Sequence, residues 1–396
     1  MQRKALTDKI IVVGVDGFDP MHAKYLMDQG RMPNLKKYVE KGSAREDLVL
    51  LGNMPTVTPP MWTTLATGAT ARTHGITGFF NQHPTKLDTV IYALDSRMCK
   101  AEPVWNNFAE AGKKTLVWHW PGSSWPPTSD SPNLAVVDGT QPSSIGSGVA
   151  SADWHILCMA DESVESLKFA AHDATDKGVN GCVINDLEDV IDDENKKPEA
   201  RLLTQGATKE TTFLAMYEDE TEVNMLNGSN ADVINSPIKE ATGWANAPEG
   251  AKEFTLLTSG GYTRRPCLIL KNDAGIYDRV AVYKTKKDLE PVFIMEYDQY
   301  FTDYVDEVNK KGELKNTSRC GRLMELAEDG SHVKIWLGFA TDLDNTMVWH
   351  PKSLHGEVMA NFGAPPVIPN ITGRVQENVE KILIPGWDAY CDWQAS

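Results

Sequence analysis

The chain has 396 residues, with 39 basic and 55 acidic side chains and a formal net charge of −16 at pH 7. This length is enough for two domains with a substantial core, and the negative charge argues against binding of a nucleic-acid polymer. The sequence has no run of about 18 apolar residues and no secretory signal pattern, so we expect a cytoplasmic protein without a membrane partner.

The first predicted element is a strand at residues 9–17, an apolar run that ends in Asp16 and Gly17. A run without polar alternation is typical of a parallel strand buried on both faces. The carboxylate of Asp16 would then emerge at the carboxyl end of the strand, where open α/β sheets bind ligands. Three further elements are predicted before the next motif, namely helices at residues 20–30 and 33–42 and a short strand at residues 48–51.

A proline pair marks the start of the next predicted helix. Residues 54–64 read Met-Pro-Thr-Val-Thr-Pro-Pro-Met-Trp-Thr-Thr, and proline at the first helical positions places Thr58 where an N-cap residue belongs. The N-terminus of a helix suits a phosphate oxygen, because free N–H groups and partial positive charge collect there. The hydroxyl of Thr58 can therefore be a simple cap or a nucleophile. Thr56, two residues earlier on the extended approach, is the competing nucleophile.

The next elements continue the alternation of helices and strands. A helix is predicted at residues 102–112, and buried strands are predicted at residues 113–118 and 134–137. Strands that alternate with helices are typical of a doubly wound, mostly parallel sheet. We therefore expect an α/β fold for the first part of the chain.

From about residue 151 the pattern changes to short strand-like runs separated by turns. The runs occupy residues 253–257, 267–271, 279–285, 292–296 and 333–339, with turns at Gly260-Gly261, Asn272-Asp273 and Asp329-Gly330. Such spacing favours a β-rich insert over more parallel core. The acidic residues 180–198 are expected to form an exposed segment, and residues 375–393 are expected to be mainly helical with an interruption at Pro385-Gly386.

Four short motifs occur in a fixed order along the first 80 residues. They are Asp16-Gly17, Pro33-Asn34-Leu35, Thr58-Pro59-Pro60-Met61-Trp62, and Thr67-Gly68 followed by His74-Gly75-Ile76. In this order they resemble the alkaline phosphatase superfamily, specifically its type I phosphodiesterase/nucleotide pyrophosphatase group. The resemblance implies that residues 1–150 are the first half of an alkaline phosphatase-like core, residues 151–372 a β-rich cap, and residues 373–396 a helix that returns to the core.

The resemblance also implies a chemistry. It implies two divalent metal ions, zinc in the first place with manganese or magnesium as alternatives, and a threonine or serine nucleophile that forms a phospho-enzyme. Carried over residue by residue, Asp16 becomes a metal ligand, and Thr58 becomes both the nucleophile and a metal ligand. The implied function is hydrolysis of a small phosphorylated substrate, a phosphate mono- or diester, through a phospho-threonine intermediate.

The remaining metal ligands of the superfamily, further Asp and His residues, have no counterpart in the sequence. Asp342 and Asp344 are interpreted as turn residues, and His350 and His355 as solvated loop residues rather than ligands. The sequence therefore predicts that the chain stops before the metal-bearing second half of the core, which would begin after Ser396.

Other notable side chains are given no catalytic or metal-binding role. His74 is predicted to be a structural histidine, while His119, between two tryptophans, is left unassigned. Trp62 and Trp125 are expected to line a pocket. The six cysteines are widely spaced and are predicted to be free thiols, and none has the Cys-x-Pro-x-Arg context of a sulfatase nucleophile.

Two other interpretations stay open. A cofactor-independent phosphomutase uses the same core as the phosphohydrolases of this superfamily. A catalytically silent binding or scaffold protein would keep the first half of the fold without the missing ligands. The metal content separates the hydrolase from the silent protein, because an intact site holds about two metal ions and a remnant holds none tightly.

Overall fold

A computed structural model describes most of the chain and shows a mixed α/β protein with several sheets. The described residues are 7–49, 54–82, 89–138, 145–146, 149–153, 156–165, 168–170, 183–185, 201–202, 232–258, 263–310, 313–366, 369 and 376–396. None of the helices formed by these residues has the length and apolar character that a membrane span requires.

The helices of the described chain lie in its first and last parts. They are α1 Pro20–Asp28, α2 Pro33–Lys41, α3 Thr58–Thr67, α4 Ala71–His74, α5 Val104–Glu110, α6 Ser353–Phe362, α7 Gln376–Asn378 and α8 Ile384–Ala395, with a 3-10 turn at Ser96–Met98. The helices predicted at residues 20–30, 33–42 and 102–112 are confirmed by α1, α2 and α5. Each of the three starts at or beside a proline, whose missing N–H breaks no hydrogen bond in a first turn.

The C-terminal helical segment differs from the prediction in one respect. Residues 375–393 are mainly helical as predicted, and a π-helical turn at Val379–Leu383 joins α7 to α8. The predicted interruption at Pro385-Gly386 is wrong, because Pro385 lies in the first turn of α8. At that position its missing N–H need not break the helix, and the preceding π-helical turn shifts the hydrogen-bonding pattern.

The core sheet near the candidate site has three strands, β3 Thr115–Trp118, β4 Leu134–Val137 and β21 Trp349–His350. Strands β3 and β4 are parallel, and β21 pairs antiparallel with β4. The strands predicted at residues 113–118 and 134–137 are thus confirmed. Helices α3 and α5 contribute Ala66, Trp105 and Ala109 to the apolar cluster beside this sheet. This core contains one parallel pair among the described residues, so the doubly wound sheet stays a prediction.

Residues 9–17 do not form the buried strand that their apolar run predicts. The structure assigns none of them to a strand, and the side chains of Ile11 and Val13 are 88% and 80% exposed. A strand that is apolar on both faces needs hydrogen-bonded neighbours and packing layers on both faces. No described strand pairs with this segment, so the prediction of a buried strand is wrong for the described part of the chain.

The later part of the chain is rich in β-structure, as predicted. A five-stranded antiparallel sheet contains β12 Lys239–Glu240, β13 Lys252–Thr258, β14 Thr263–Lys271, β15 Tyr277–Val282 and β16 Phe293–Glu296. A nine-stranded sheet contains β5 Ile145–Gly146, β6 Val149–Asp153, β7 Ile156–Asp161, β8 Lys168–Ala170, β11 Asp232–Pro237, β17 Tyr300–Lys310, β18 Glu313–Leu326, β19 His332–Leu337 and β20 Ala340–Asp342. Each strand-like run predicted between residues 253 and 339 overlaps one of these strands. The two longest strands, β17 and β18, lie outside every predicted run, because polar residues interrupt their apolar pattern.

These two sheets share one core. Buried side chains from both form a single apolar cluster, with Phe254 and Ile269 from the five-stranded sheet and Ile335 and Leu337 from the nine-stranded sheet. Two sheets whose inner faces interdigitate in this way have the packing of a β-sandwich. The division into residues 1–150, 151–372 and 373–396 stays a prediction, and β21, inside the second range, pairs with β4 of the core sheet.

A small four-stranded sheet completes the described strands, with β1 Phe80–Gln82, β2 Thr89–Tyr92, β9 Val183–Asn185 and β10 Arg201–Leu202. The strand predicted at residues 48–51 is wrong at Leu48 and Val49, which lie in no strand, and residues 50–51 are outside the described residues. Apart from β9, the acidic segment at residues 180–198 is outside them too, as is the turn at Gly260-Gly261. The described cysteines are free thiols, as predicted, and Cys182 lies outside the described residues.

Candidate active site

Asp16 and Thr58, the two side chains that the sequence singles out, meet at the start of α3. The Oγ1 atom of Thr58 lies 3.4 and 3.5 Å from the two carboxylate oxygens of Asp16. The hydroxyl of Thr58 is the donor, and the carboxylate oxygens of Asp16 are the acceptors. The two residues are 42 positions apart in the chain, so their contact depends on how the segment at residues 9–17 packs against α3.

Thr58 is the first residue of α3 rather than its N-cap. Val57 occupies the cap position with φ −120° and ψ 150°, and no described side chain caps the helix. The predicted N-cap position of Thr58 is therefore wrong, since its hydroxyl donates to Asp16 instead of accepting from a helix amide. The competing residue, Thr56, is exposed on the approach to the helix.

The two prolines change what the start of α3 offers to an anion. Pro59 and Pro60 are buried and carry no N–H, and the N–H of Met61 donates to the carbonyl of Val57 at 3.2 Å. The first turn therefore presents fewer free amides than the sequence pattern alone indicates. A phosphate held here would depend on side chains and bound cations more than on the helix terminus.

Trp62 makes a second contact with Asp16. It lies one turn after Thr58 on α3, and its indole Nε1 donates to the Oδ1 atom of Asp16 at 3.0 Å. The indole is 8% exposed and packs edge-to-face against Trp120, with ring centroids 4.8 Å apart. The sequence predicted only that Trp62 lines a pocket, because a motif does not show which acceptor an indole N–H reaches.

His74 is a structural histidine, as predicted. Its side chain is fully buried, its Nδ1 accepts from the N–H of Ile76 at 3.1 Å, and its Nε2 lies 3.1 Å from the hydroxyl oxygen of Thr64. Burial lowers the pKa of the His74 imidazole. A neutral ring with both nitrogens hydrogen-bonded in the core is not arranged to bind a metal.

His119 contacts the C-terminal helix, which sequence reasoning did not find. Its Nδ1 atom lies 2.5 Å from the hydroxyl oxygen of Tyr390, and the two rings are stacked at an interplanar angle of 7°. Burial lowers the pKa of His119 to about 4 and raises the pKa of Tyr390 well above its usual value. The phenol therefore keeps its proton and donates to the neutral imidazole, which ties α8 to the loop after β3.

This contact predicts a pH dependence of stability. Because the folded-state pKa of His119, about 4, is below the unfolded value of 6.5, the unfolded state binds more protons between these two pH values. The stability from the neutral ring is fully present above pH 6.5 and is lost as the pH falls toward 4. We expect His119 to lower the free energy of unfolding by about 2 to 3 kcal/mol across this interval. Urea unfolding at a series of pH values measures this decrease in the free energy of unfolding.

The matched variants are His119→Asn and His22→Asn. His119 has a φ of 48°, in the left-handed region that asparagine tolerates well, so His119→Asn should fold and show a flatter pH profile. His22 is exposed on α1, and its variant should keep the wild-type profile. If the free energy of unfolding falls with pH equally in His119→Asn and in the wild type, the pH dependence does not come from His119.

The remaining candidates lie in the later part of the chain. Asp342 ends β20 and accepts from the backbone N–H of Asp344 at 3.1 Å, as expected of turn residues. His350 lies in β21 and His355 in α6, so the prediction that both are loop residues is wrong. The ring of His355 packs against Trp349, with centroids 5.2 Å apart. Across the described ranges there is no group of three or more His, Cys, Asp or Glu side chains able to hold a metal ion.

Comparison with known proteins bears on the first half of the chain. The model of a family described as type I phosphodiesterase/nucleotide pyrophosphatase matches residues 10–223, which is more than half of the chain. The matched region begins shortly before Asp16 and includes Thr58, Trp62 and His74. No solved structure matches the chain.

Proposed function

The chain belongs to the type I phosphodiesterase/nucleotide pyrophosphatase family of the alkaline phosphatase superfamily, and from this premise we propose that it is a metal-dependent hydrolase of small phosphate esters. The family expected from the four motifs is thereby confirmed. Members of this family are phosphodiesterase- or pyrophosphatase-type hydrolases and are generally metal-dependent. The proposal adds a nucleophile, Thr58, a metal ligand, Asp16, and a phosphate mono- or diester as substrate.

One observation carries the proposal. The hydroxyl of Thr58 and the carboxylate of Asp16 are within 3.4 Å of each other at the first residue of a helix. The side chain of Thr58 does not cap the helix, so a purely structural capping role does not explain a threonine at this position. A hydroxyl next to a carboxylate is an arrangement in which oxygens of both groups can face a common cation.

In the proposed reaction the Oγ1 atom of Thr58 attacks the phosphorus of a phosphate ester. The P–Oγ1 bond forms while the P–O bond to the leaving group breaks, and the proton lost from the hydroxyl is balanced by protonation of the leaving alcohol. Water then cleaves the P–Oγ1 bond. This second step releases phosphate from a monoester, or a phosphate monoester from a diester, and restores the hydroxyl.

The donor atoms fit a divalent cation in part. Carboxylate and hydroxyl oxygens are suitable ligands for zinc, magnesium and manganese, and the Oδ2 atom of Asp16 is not engaged by Trp62. When bound, such a cation lowers the pKa of a hydroxyl and offsets the negative charge of a phosphate. A complete site needs about four to six ligands. We therefore infer that further ligands come from outside the described residues.

The exposed segment at residues 9–17 supports the same inference. Residues 10–13 are all apolar, and adjacent side chains of an extended chain point to opposite sides, yet each of these four residues is more than 60% exposed. Apolar side chains on both faces are typical of a strand inside a parallel sheet. This exposed apolar segment therefore supports a site that the described residues do not complete.

Hydrolysis of two model substrates tests the proposal. The purified chain is assayed with p-nitrophenyl phosphate and bis-p-nitrophenyl phosphate, with Zn²⁺, Mn²⁺ or Mg²⁺ added, and again after treatment with EDTA. We expect release of p-nitrophenol that depends on the metal, and the ratio of the two rates separates a monoesterase from a diesterase. Turnover that survives complete removal of divalent metals would contradict the metal dependence.

A silent binding or scaffold protein is the second candidate. It is favoured by the lack of any group of three or more metal-ligating side chains within the described residues. This candidate predicts no tightly bound metal after purification and no hydrolysis with any added metal. The hydrolase predicts about two metal ions per complete site, and elemental analysis of the purified protein distinguishes the two.

A further inference from the structure

The indole of Trp62 connects the two parts of the candidate site. It belongs to the same helix as Thr58, one turn further on, and its Nε1–H donates to the Oδ1 atom of Asp16 at 3.0 Å. An indole N–H can donate but cannot ligate a metal ion. This hydrogen bond therefore acts on the orientation of the Asp16 carboxylate and not on the cation directly.

The position of the indole is itself fixed by its neighbours. Trp120 donates from Nε1 to the backbone carbonyl of Trp62 at 3.3 Å and meets its ring edge-to-face at 87°, and Trp105 packs against Trp120 with centroids 5.6 Å apart. On its other side the indole lies against the backbone of Gly14. A Cβ atom at that residue would lie 2.2 Å from the Cη2 atom of Trp62, so glycine is what lets the ring approach Asp16.

The position of Asp16, in contrast, is only weakly fixed by the backbone around it. The residues before it lie in no described strand, and the next residue, Gly17, has a φ of 63°, in the left-handed region. The side-chain contacts of Asp16 with Trp62 and Thr58 therefore attach this end of the segment to α3. Of these two contacts, the one from Trp62 is shorter and less exposed.

We propose that Trp62 is a positioning residue, which holds the Asp16 carboxylate so that Oδ2 is available to a divalent cation beside Thr58. This inference rests on the proposed function, because it requires Asp16 to be a metal ligand. Engaging Oδ1 with an N–H donor limits rotation of the carboxylate and leaves one defined oxygen for the cation. Outer hydrogen bonds of this type change metal affinity by about 10- to 100-fold in metal sites.

The test measures Mn²⁺ binding to the whole chain by electron paramagnetic resonance. Trp62→Phe keeps an aromatic ring in the cluster but removes the N–H donor together with one of the two fused rings of the indole, a loss of volume that the control variant shares. We expect its dissociation constant for Mn²⁺ to rise about tenfold. Trp105→Phe is the matched control, because it alters the same aromatic cluster at a ring that contacts Trp120, and it should bind Mn²⁺ as the wild type does.

A second readout needs no metal. In protein labelled with ¹⁵N at the indoles, the Nε1–H resonance that disappears in Trp62→Phe should shift in Asp16→Asn, because its acceptor changes from a charged to a neutral oxygen. The resonance that disappears in Trp105→Phe should stay in place. If Asp16→Asn leaves both resonances unchanged, the indole does not donate to Asp16, and the positioning role fails with the contact on which it rests.

Gly14→Ala provides a variant that keeps the indole and displaces it. We expect weaker Mn²⁺ binding for this variant too, and wild-type affinity in a folded Trp62→Phe or Gly14→Ala protein would overturn the positioning role. If that happens while Asp16→Asn binds Mn²⁺ more weakly, the proposed function stands and only this inference fails. If Asp16→Asn binds Mn²⁺ like the wild type, the metal role of Asp16 fails and the inference fails with it.

Discussion

Thr58→Ala is expected to reduce hydrolysis of phosphate esters by about 1,000-fold or more. The substitution removes Oγ1, which is the atom that would form the bond to phosphorus. The fold should survive, because Thr58 caps no described helix amide and its contact with Asp16 is exposed. We expect a change in the free energy of unfolding within about 0.5 kcal/mol. Steady-state rates with p-nitrophenyl phosphate and urea unfolding measure the two effects separately.

Two further variants make this prediction specific. Thr58→Ser keeps a hydroxyl at the same backbone position and should retain measurable turnover. Thr56→Ala, at the competing threonine, should keep the wild-type rate. Mass spectrometry of acid-quenched reactions should find the phosphoryl group on the peptide that contains Thr58. Loss of activity in Thr56→Ala together with normal activity in Thr58→Ala would identify Thr56 as the nucleophile.

Asp16→Asn is expected to weaken binding of divalent metal ions by about 100-fold or more, since a direct ligand should matter at least as much as an outer one. Asparagine has nearly the same shape, and its carbonyl oxygen can still accept from the Nε1–H of Trp62. The loss therefore comes from the removed negative charge rather than from a change in packing. Mn²⁺ titration measures the affinity, and hydrolysis at saturating metal shows how much activity can be recovered.

Asp8→Asn is the matched control for this prediction. Asp8 lies exposed on the same segment as Asp16, so its replacement changes the net charge by the same amount. We expect it to leave metal binding and turnover unchanged. An equal loss of metal affinity in both variants would indicate a general effect of charge. Unchanged metal affinity in Asp16→Asn would show that Asp16 is not a metal ligand.

Local sequence signals predicted the short helices and several strands of this protein well. The helices α1 and α2 start at prolines and α5 follows one, and β4 coincides with the apolar run at residues 134–137. These signals act within a few residues of the chain, because a proline at a helix start and an apolar run are properties of the local sequence. They failed for residues 9–17, whose burial depends on neighbouring strands, and for Pro385, whose effect depends on its place within the helix.

The candidate site was predictable in its residues but not in its geometry. The motifs singled out Asp16 and Thr58, and the structure brings their side chains within hydrogen-bonding distance. The hydrogen bond from Trp62 to Asp16 and the contact between His119 and Tyr390 went unpredicted. The first joins residues 46 positions apart and the second joins residues 271 positions apart, and no short motif carries information over such separations.

The sequence by itself determined the family, the order of the motifs and the positions of α1, α2 and α5. It did so because residue order and local backbone preferences do not depend on the rest of the molecule. Only the tertiary structure decided that the Thr58 hydroxyl turns to Asp16 instead of capping α3, and that an indole N–H shares the same carboxylate. Such contacts depend on how distant segments pack, and packing is a property of the folded chain as a whole.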